Sequence, residues 1–236
     1  MTIPGARQRR IVVPGEVVAT GTNLVKGENL LRVGESLIAT RVGLLDYTRN
    51  RVRVIPLSGI YIPRVDDRVV GKVVDYGPFA WEVDINAALP AYLPAQDVFG
   101  RGFSPARHEL TSKFAVGDLI YAVIVAYDRT RDPQLSVRGP GLGKIPSGEI
   151  VKISATRVPR LIGRGGSMVK IIEEATNTRI TVGQNGVVVV NGPAEGILRA
   201  VSAIRMVEEQ AHTTGLTERV QRALRQGNLP PAPSRA

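Results

Sequence analysis

The stretch Leu161-Ile162-Gly163-Arg164-Gly165-Gly166-Ser167-Met168-Val169-Lys170 constrains the fold more than any other part of the 236-residue chain. It follows an alternating apolar run from Glu149 to Thr156 and precedes a helical pattern from Ser167 to Thr176. A second β-like run, Thr178 to Val182, comes next. A tight glycine loop therefore joins two short helical segments on a small sheet. Gly163, Gly165 and Gly166 carry no Cβ, so another backbone can approach closely. The helix that begins at the loop turns its free N–H groups and positive dipole end toward whatever approaches, which favours an anion. Arg164 and Lys170 add positive charge. A plain corner between two helices is the alternative reading, since glycine-rich turns are common. Two other glycine motifs fail on spacing. A dinucleotide fingerprint starting at Gly163 needs glycine where Met168 stands. Gly139-Pro140-Gly141-Leu142-Gly143-Lys144 lacks the four-residue gap and the following Ser or Thr of a phosphate loop, and it reads as a flexible linker.

The pattern continues beyond the loop. Thr178 to Val182 and Val187 to Asn191 flank Gly183-Gln184-Asn185-Gly186, and Asn-Gly between two such runs signals a hairpin. Pro193 opens a long helix that places Ile197, Val201, Ile204, Val207 and Ala211 on one face. The order β-α-α-β-β-α resembles the type I KH module, whose Gly-X-X-Gly loop clamps a short single-stranded RNA segment. Leu161, Ile162, Ile171 and Ile172 are the apolar candidates for a groove that takes bases beside Gly163, Arg164, Gly165, Gly166 and Lys170. Thr217 to Gln226 reads as one more helix, and Leu229 to Ala236, with three prolines, as a frayed tail.

The charge pattern points the same way. The net charge is +10, with Arg supplying 25 of the 31 cations. Residues 1–65 carry +6, 66–147 carry −1 and 148–236 carry +5. Guanidinium pairs with phosphate in a bidentate way and stacks on bases, so a polyanionic partner is expected. No apolar run approaches the ~20 residues of a membrane span. Residues around Arg7, Arg9 and Arg10 lack the apolar segment of a signal peptide and read as a basic arm. With zero cysteines there is neither a disulfide framework nor a thiolate metal site. A cytoplasmic protein without membrane attachment is expected.

From Ile11 to Pro63 the chain shows short β-like runs broken by glycines. Arg51-Val52-Arg53-Val54 alternates as a half-buried strand does. The expectation is a small all-β domain, 1–65, marginal alone by size, that docks either on its neighbour in the chain or on another subunit. Asp66-Asp67 opens a second unit, 66–138. There Val69 to Asp75, Phe79 to Ile85, Leu119 to Ala126 and Gln134 to Arg138 read as strands around a long insertion, Val98 to Phe114. About five strands without long helices suggest a Greek-key barrel of OB type. Tyr76 and Phe79, flanking Gly77-Pro78, are the candidates for stacking bases. Trp81 lies two residues beyond Phe79 and reads equally as a third stacking ring or a core anchor. Gly139 to Gly148 is a linker, and 149–236 holds the KH-like unit with a helical extension.

Val70-Gly71-Lys72-Val73-Val74-Asp75-Tyr76-Gly77-Pro78-Phe79, Phe114-Ala115-Val116-Gly117-Asp118 and Gln134-Leu135-Ser136-Val137-Arg138 resemble the S1 RNA-binding domain. A β-rich basic N-terminal domain, one S1 domain and one KH domain, in that order, resemble the S1/KH cap subunits of the archaeal exosome. That resemblance implies a non-catalytic role. In that family three cap subunits sit on a hexameric ring of RNase PH-like phosphorolytic subunits. Their N-terminal domains dock on the ring, the S1 domains surround the entry pore, and the KH domains help capture single-stranded RNA. It maps the exposed S1 aromatics onto Tyr76 and Phe79. Two positions depart from the family: Pro94 stands where many S1 domains carry histidine, and Gln134 where the late arginine is usual. Asp128 matches the family aspartate, and its neighbours Arg129 and Arg131 are candidates to supply the charge.

An enzyme is not expected. His108 and His212 are far apart and lack metal-ligand spacing, no cofactor motif survives, and Asp66-Asp67 and Glu173-Glu174 read as a domain start and a solvated helix face. Polynucleotide phosphorylase places KH before S1 behind catalytic domains that are missing here. An S1/KH transcription or translation factor not tied to RNA decay is the alternative, although the bacterial elongation factor of that kind carries two KH domains of the other topology. The sister exosome cap ends in a zinc ribbon, which a chain without cysteine cannot build.

Overall fold

Alternation dominates the N-terminal strands, and the strands pair accordingly. The computed structural model describes residues 10–48, 50–57, 59–128, 130–146, 148–211, 213 and 215–226. The basic arm around Arg7 and Arg9, together with Arg129, His212 and the proline-containing tail, lies outside the described residues. The chain divides into two compact units between Gly59 and Ile60. The first contains β1 (Ile11–Val12), β2 (Val17–Thr20), β3 (Val25–Lys26), β4 (Leu30–Val33), β5 (Ser36–Ala39), β6 (Gly43–Thr48) and β7 (Arg51–Pro56). They form a four-stranded sheet, β1-β6-β7-β3, and a three-stranded sheet, β2-β5-β4. In β7 Val52 and Val54 point into a core with Leu37, Leu45 and Val12, while Arg51 and Arg53 stay outside. Arg53 pairs with Asp46 at 2.8 Å from the neighbouring strand.

The second unit opens with a barrel. Its strands are β8 (Arg68–Tyr76), β9 (Ala80–Asp84), β10 (Ala91–Pro94), β11 (Leu119–Ala126), β12 (Gln134–Ser136) and β13 (Gly143–Ile145), with the short helix α1 (Ala95–Phe99) after β10. The sheet order is β12-β10-β9-β8-β11-β13, and a further pairing of β12 with β11 closes five strands into a barrel. Closure removes the open edges that would otherwise invite pairing with another chain. Val69, Val73, Val83, Ile85, Leu93, Ile120, Ile124 and Leu135 fill the interior around Trp81. Trp81 is 0% exposed. Its indole N–H donates to the Phe114 carbonyl at 3.0 Å, and its ring meets Phe114 edge-on at 5.3 Å. The core-anchor reading of Trp81 is therefore the correct one. Asp97 in α1 accepts from the Ser136 hydroxyl and the Val137 N–H and pairs with Arg138, which ties the helix to β12.

Part of the expected linker is not a free tether. Gly143–Ile145 pairs antiparallel with β11, with Ile145 opposite Leu119. Lys144 reaches Asp118 at 2.6 Å, and Ile145 is buried. Pairing and burial override the loop character of the surrounding Gly and Pro.

The KH-like part contains β14 (Glu149–Lys152), α2 (Val158–Ile162), α3 (Ser167–Thr176), β15 (Arg179–Val182), β16 (Val187–Asn191), α4 (Ala194–Glu209) and α5 (Leu216–Gln226). The sheet order is β14-β16-β15, all antiparallel. Val188 and Val190 pack under Leu161, Ile172, Ala203, Ile204 and Val207. Val187 and Val189 point the other way and meet Val70, Leu119 and Ile145 of the barrel. The unbroken valine run of β16 follows from having both faces covered. Leu216, Val220 and Leu224, one helical turn apart, bury α5 on the same core.

Candidate nucleic-acid interface

The glycine loop sits between α2 and α3, and its backbone takes conformations that L side chains disfavour. Gly163, Gly165 and Gly166 have φ of 73°, 60° and 82°. The three glycines do different work. A Cβ at Gly163 would lie 2.8 Å from the Met168 nitrogen, so this position closes the turn. Cβ atoms at Gly165 and Gly166 would meet nothing within 4 Å. These two leave open space beside their Cα atoms at the start of α3, where the Gly166 and Ser167 N–H groups close a short turn onto the Gly163 and Arg164 carbonyls. Arg160, Arg164 and Lys170 are exposed around the loop. None of the three is in an ion pair among the described residues. The combination of open glycine backbone, a helix N-terminus and free cations suits a phosphate group.

Beside the loop, Ile162 is half-buried and Val169 likewise, both leaning on the helical core. Leu161 and Ile172 are fully buried in that core and do not line a groove, since the helix turns them toward β16. Ile171 faces a separate cleft bounded by Glu174, Arg199, Gln221 and Leu224.

The barrel offers a second surface. Phe79 is 65%, Tyr76 45% and Tyr92 38% exposed. All three line one open pocket of about 480 Å3 together with Pro78 and Pro90. The β8–β9 turn carries Tyr76 and Phe79, while Tyr92 comes from β10 and donates its hydroxyl to Gln134 at 3.0 Å. Such exposed rings can stack unpaired bases. Arg131 does not line this pocket. It sits near Asp128, whose carboxyl is held below its ordinary range first by hydrogen bonds from Thr130 and then by the Arg131 charge. The companion expectation at Arg129 lies outside the described residues.

Loop and barrel belong to one body because the KH hairpin plugs into the barrel wall. Asn185, 0% exposed, donates from Nδ2 to the carbonyls of Val70 and Ile85 at 2.7 Å each. Its Oδ1 accepts from the Val70 N–H at 3.3 Å. Gln184 and Arg68 exchange two further bonds, Gln184 N–H to the Arg68 carbonyl and Arg68 N–H to the Gln184 side chain. The turn thus acts as a short extra rung on β8.

Comparison with known proteins gives each part a counterpart. The family model for the Exosome RNA binding protein RRP4 N-terminal domain matches residues 9–58. That for the S1 domain of Exosome complex component RRP40 matches 61–138, and that for the KH domain matches 148–206. Exosome complex component Rrp4 of Nitrosopumilus maritimus is 48% identical over 220 residues, covering 93% of this chain and 97% of that protein. The chain belongs to the Rrp4 family of exosome complex components. The Thermofilum pendens member is 45% identical, covering 91% of this chain and 92% of its own length. A crystal structure described as an exosome complex RNA-binding protein has a TM-score of 0.66 at 43% identity, covering 72% of this chain and 98% of its own. The expected fold is the observed one: a β-rich N-terminal unit, an S1 barrel of OB type and a KH domain in the β-α-α-β-β-α order.

Family membership makes this chain a non-catalytic RNA-binding subunit. Within it, the structure brings Tyr76 and Phe79 together and gathers Ile162, Gly163, Arg164, Gly165, Gly166 and Lys170 around one loop. Tyr92 escaped the sequence reading. Its signal was the Ala91-Tyr92-Leu93 alternation, obscured by the prolines at 90 and 94.

Proposed function

We propose that this exosome RNA-binding subunit captures single-stranded RNA by its backbone at Gly163–Gly166 and passes it, as part of a trimeric cap, to a hexameric ring of RNase PH-like subunits. The loop carries this reading: open glycine backbone at a helix start, with three exposed cations around it that form no ion pair among the described residues. Arg164 and Lys170 contact phosphate and Ile162 supports a base. Tyr76 and Phe79 stack bases further along the strand, with little sequence preference, because backbone contacts position and do not specify. The first compact unit is the ring dock. Its three-stranded sheet aligns Val17, Ile38 and Leu31 across one row, with Val17, Leu31 and Val33 exposed. An apolar sheet face of this kind fits a protein partner. No helix among the described residues is long and apolar enough to cross a membrane, and we place the assembly in the cytoplasm. A transcription or translation factor is the less favoured reading, given the exosome names of the relatives.

The test is RNA affinity of the Gly165→Asp/Gly166→Asp double variant. Side chains and negative charge then occupy the space left open for phosphate, and a loss of at least about tenfold is expected from charge-assisted bonds worth ~1.5–3 kcal/mol each. Arg164→Glu/Lys170→Glu leaves the glycine backbone untouched and should lose affinity comparably. Unchanged binding by both folded variants refutes the clamp. Co-purification with two RNase PH-like proteins tests the ring; recovery of ribosomal or RNA polymerase subunits instead would favour the factor reading.

A further inference from the structure

The barrel pocket differs from the KH loop in one respect that its aromatic rings do not reveal. Among the described residues its lining includes Asp75, Glu82 and Asp132 but neither Lys nor Arg. Asp75 and Glu82 are direct partners on adjacent antiparallel strands, Glu82 is partnered with Tyr92, and Tyr92 with Gln134. A row of Asp75, Glu82, Tyr92 and Gln134 therefore runs across the outer barrel wall. Two like charges directly opposite each other repel. No cation is in an ion pair with any of the three carboxylates among the described residues. A phosphate in this pocket would face three negative charges and no lining cation among the described residues, whereas the neutral faces of bases lose nothing by lying on Tyr76, Phe79 and Tyr92.

We propose that the barrel pocket binds the bases of a single strand with their phosphates turned outward, so that its carboxylates repel the backbone while the KH loop attracts it. This rests on the RNA-capture reading and adds Tyr92 to the stacking platform. It also gives the two contacts opposite ionic responses. Salt weakens the loop contact by screening attraction and strengthens the barrel contact by screening repulsion. A platform that grips bases but not the backbone holds no fixed register, which suits a strand that must slide.

The experiment uses the full chain. Affinity is measured from ~10 mM to ~0.5 M salt for a single-stranded oligoribonucleotide and for a peptide nucleic acid of the same base sequence. The Asp75→Asn/Glu82→Gln/Asp132→Asn variant should bind RNA about twofold tighter per charge removed, on the order of 5–10-fold in all at low salt, for carboxylates ~8–10 Å from phosphate. That gain should shrink toward unity as the Debye length falls to ~4 Å at the top of the salt range. The ratio of RNA to neutral-strand affinity should rise in the same variant. Phe79→Ala/Tyr92→Ala should weaken the neutral strand at least fivefold. The fluorescence of Trp81, the single tryptophan, reports that each barrel is intact. A triple variant that binds RNA no tighter, or gains equally at every salt, overturns the proposal. So does a neutral strand indifferent to the loss of Phe79 and Tyr92. An arginine-rich peptide that binds the wild type more tightly than RNA and is lost with the carboxylates would assign the pocket to a cationic protein segment instead. If the Gly165→Asp/Gly166→Asp variant loses RNA while the carboxylate variant changes nothing, the capture reading stands and this proposal alone falls. If the wild type binds no RNA, both fall.

Discussion

Replacing Asn185 should loosen the barrel from the KH domain, leaving the valine packing of β16 on the barrel as the main remaining tie. The carboxamide satisfies three buried backbone groups: the carbonyls of Val70 and Ile85 and the Val70 N–H. In Asn185→Ala all three lose their partner. Each unsatisfied buried group costs ~1–3 kcal/mol, discounted where water enters the vacated space, so a total of about 2–5 kcal/mol is expected. Asn185→Asp keeps the shape and the bond from the Val70 N–H but sets a carboxylate against two carbonyl oxygens. At neutral pH it should be at least as damaging as alanine. Burial beside acceptors raises the pKa of the new carboxyl in the folded state above its unfolded value of about 3.9. The defect is therefore fully present above the folded pKa. It shrinks as pH falls from there to about 3.9, because the protonated form donates one of the lost bonds. Urea unfolding followed by two probes reads the outcome: Trp81 fluorescence reports the barrel, and circular dichroism at 222 nm reports the helices, most of which lie in the KH domain. The two transitions should coincide in the wild type and separate in Asn185→Ala, with the helical one moving to lower urea. An Asn185→Ala protein with coincident transitions and an unfolding free energy within about 0.5 kcal/mol of wild type refutes the reasoning.

Three further outcomes are expected. Asp118 has its carboxyl held below the usual range, first by the Lys144 hydrogen bond and then by the Ala115 N–H. Its contribution to holding β13 on β11 is complete above pH 3.8 and lost as pH falls through the lower folded value. The stability difference between wild type and Asp118→Asn in urea melts should therefore be flat well above pH 3.8 and shrink on acidification below it; a difference that grows on acidification would contradict it. Trp81→Phe strands the Phe114 carbonyl and leaves a gap against Phe99, so a loss of about 2–4 kcal/mol is expected by circular dichroism melts, and a loss below 1 kcal/mol would count against the anchor role. Val33→Glu on the exposed face of β4 should leave the melting temperature within a few degrees yet abolish co-purification with ring subunits; retained co-purification removes this face from the dock.

Much of the molecule was legible because local pattern and tertiary packing agree. The alternation of Arg51, Val52, Arg53 and Val54 specified both strand and buried face. The spacing of Gly163, Gly165 and Gly166 specified the loop, and the order of elements around it specified the KH topology. Legibility failed where a partner distant in sequence decides. Gly183-Gln184-Asn185-Gly186 reads as a hairpin turn, but nothing local says that its amide side chain enters a barrel more than a hundred residues earlier in the chain. Gly143–Ile145 reads as linker because its flanks are Gly and Pro, and it becomes a strand only by pairing with β11. Trp81 and Phe79 are two residues apart and would share a face in a regular strand. Phe79 instead precedes β9 in the turn, so one ring is exposed while the other is the barrel's centre. Asp75, Glu82 and Asp132 read singly as ordinary surface charge, and their grouping around one pocket is visible only once β8, β9, β10 and β12 lie side by side.

The rigid seam at Asn185 also bears on how the two RNA contacts combine. The loop and the pocket sit on one compact unit, so a strand long enough to reach both binds the second as an intramolecular event. A flexible tether spreads that advantage over many lengths. A rigid one concentrates it at the length that matches the span and offers nearly nothing below it. Affinity against oligonucleotide length should therefore show a step in the wild type, with short strands held by the KH loop alone and lost in Gly165→Asp/Gly166→Asp. Above the step, affinity should gain a component that Phe79→Ala/Tyr92→Ala removes and that moderate salt spares. In Asn185→Ala the same two surfaces remain but their separation is no longer fixed, so the step should broaden while the short-strand affinity stays put. A wild-type curve that rises smoothly, indistinguishable from that of Asn185→Ala, would mean that the two surfaces act independently and that the seam serves stability alone.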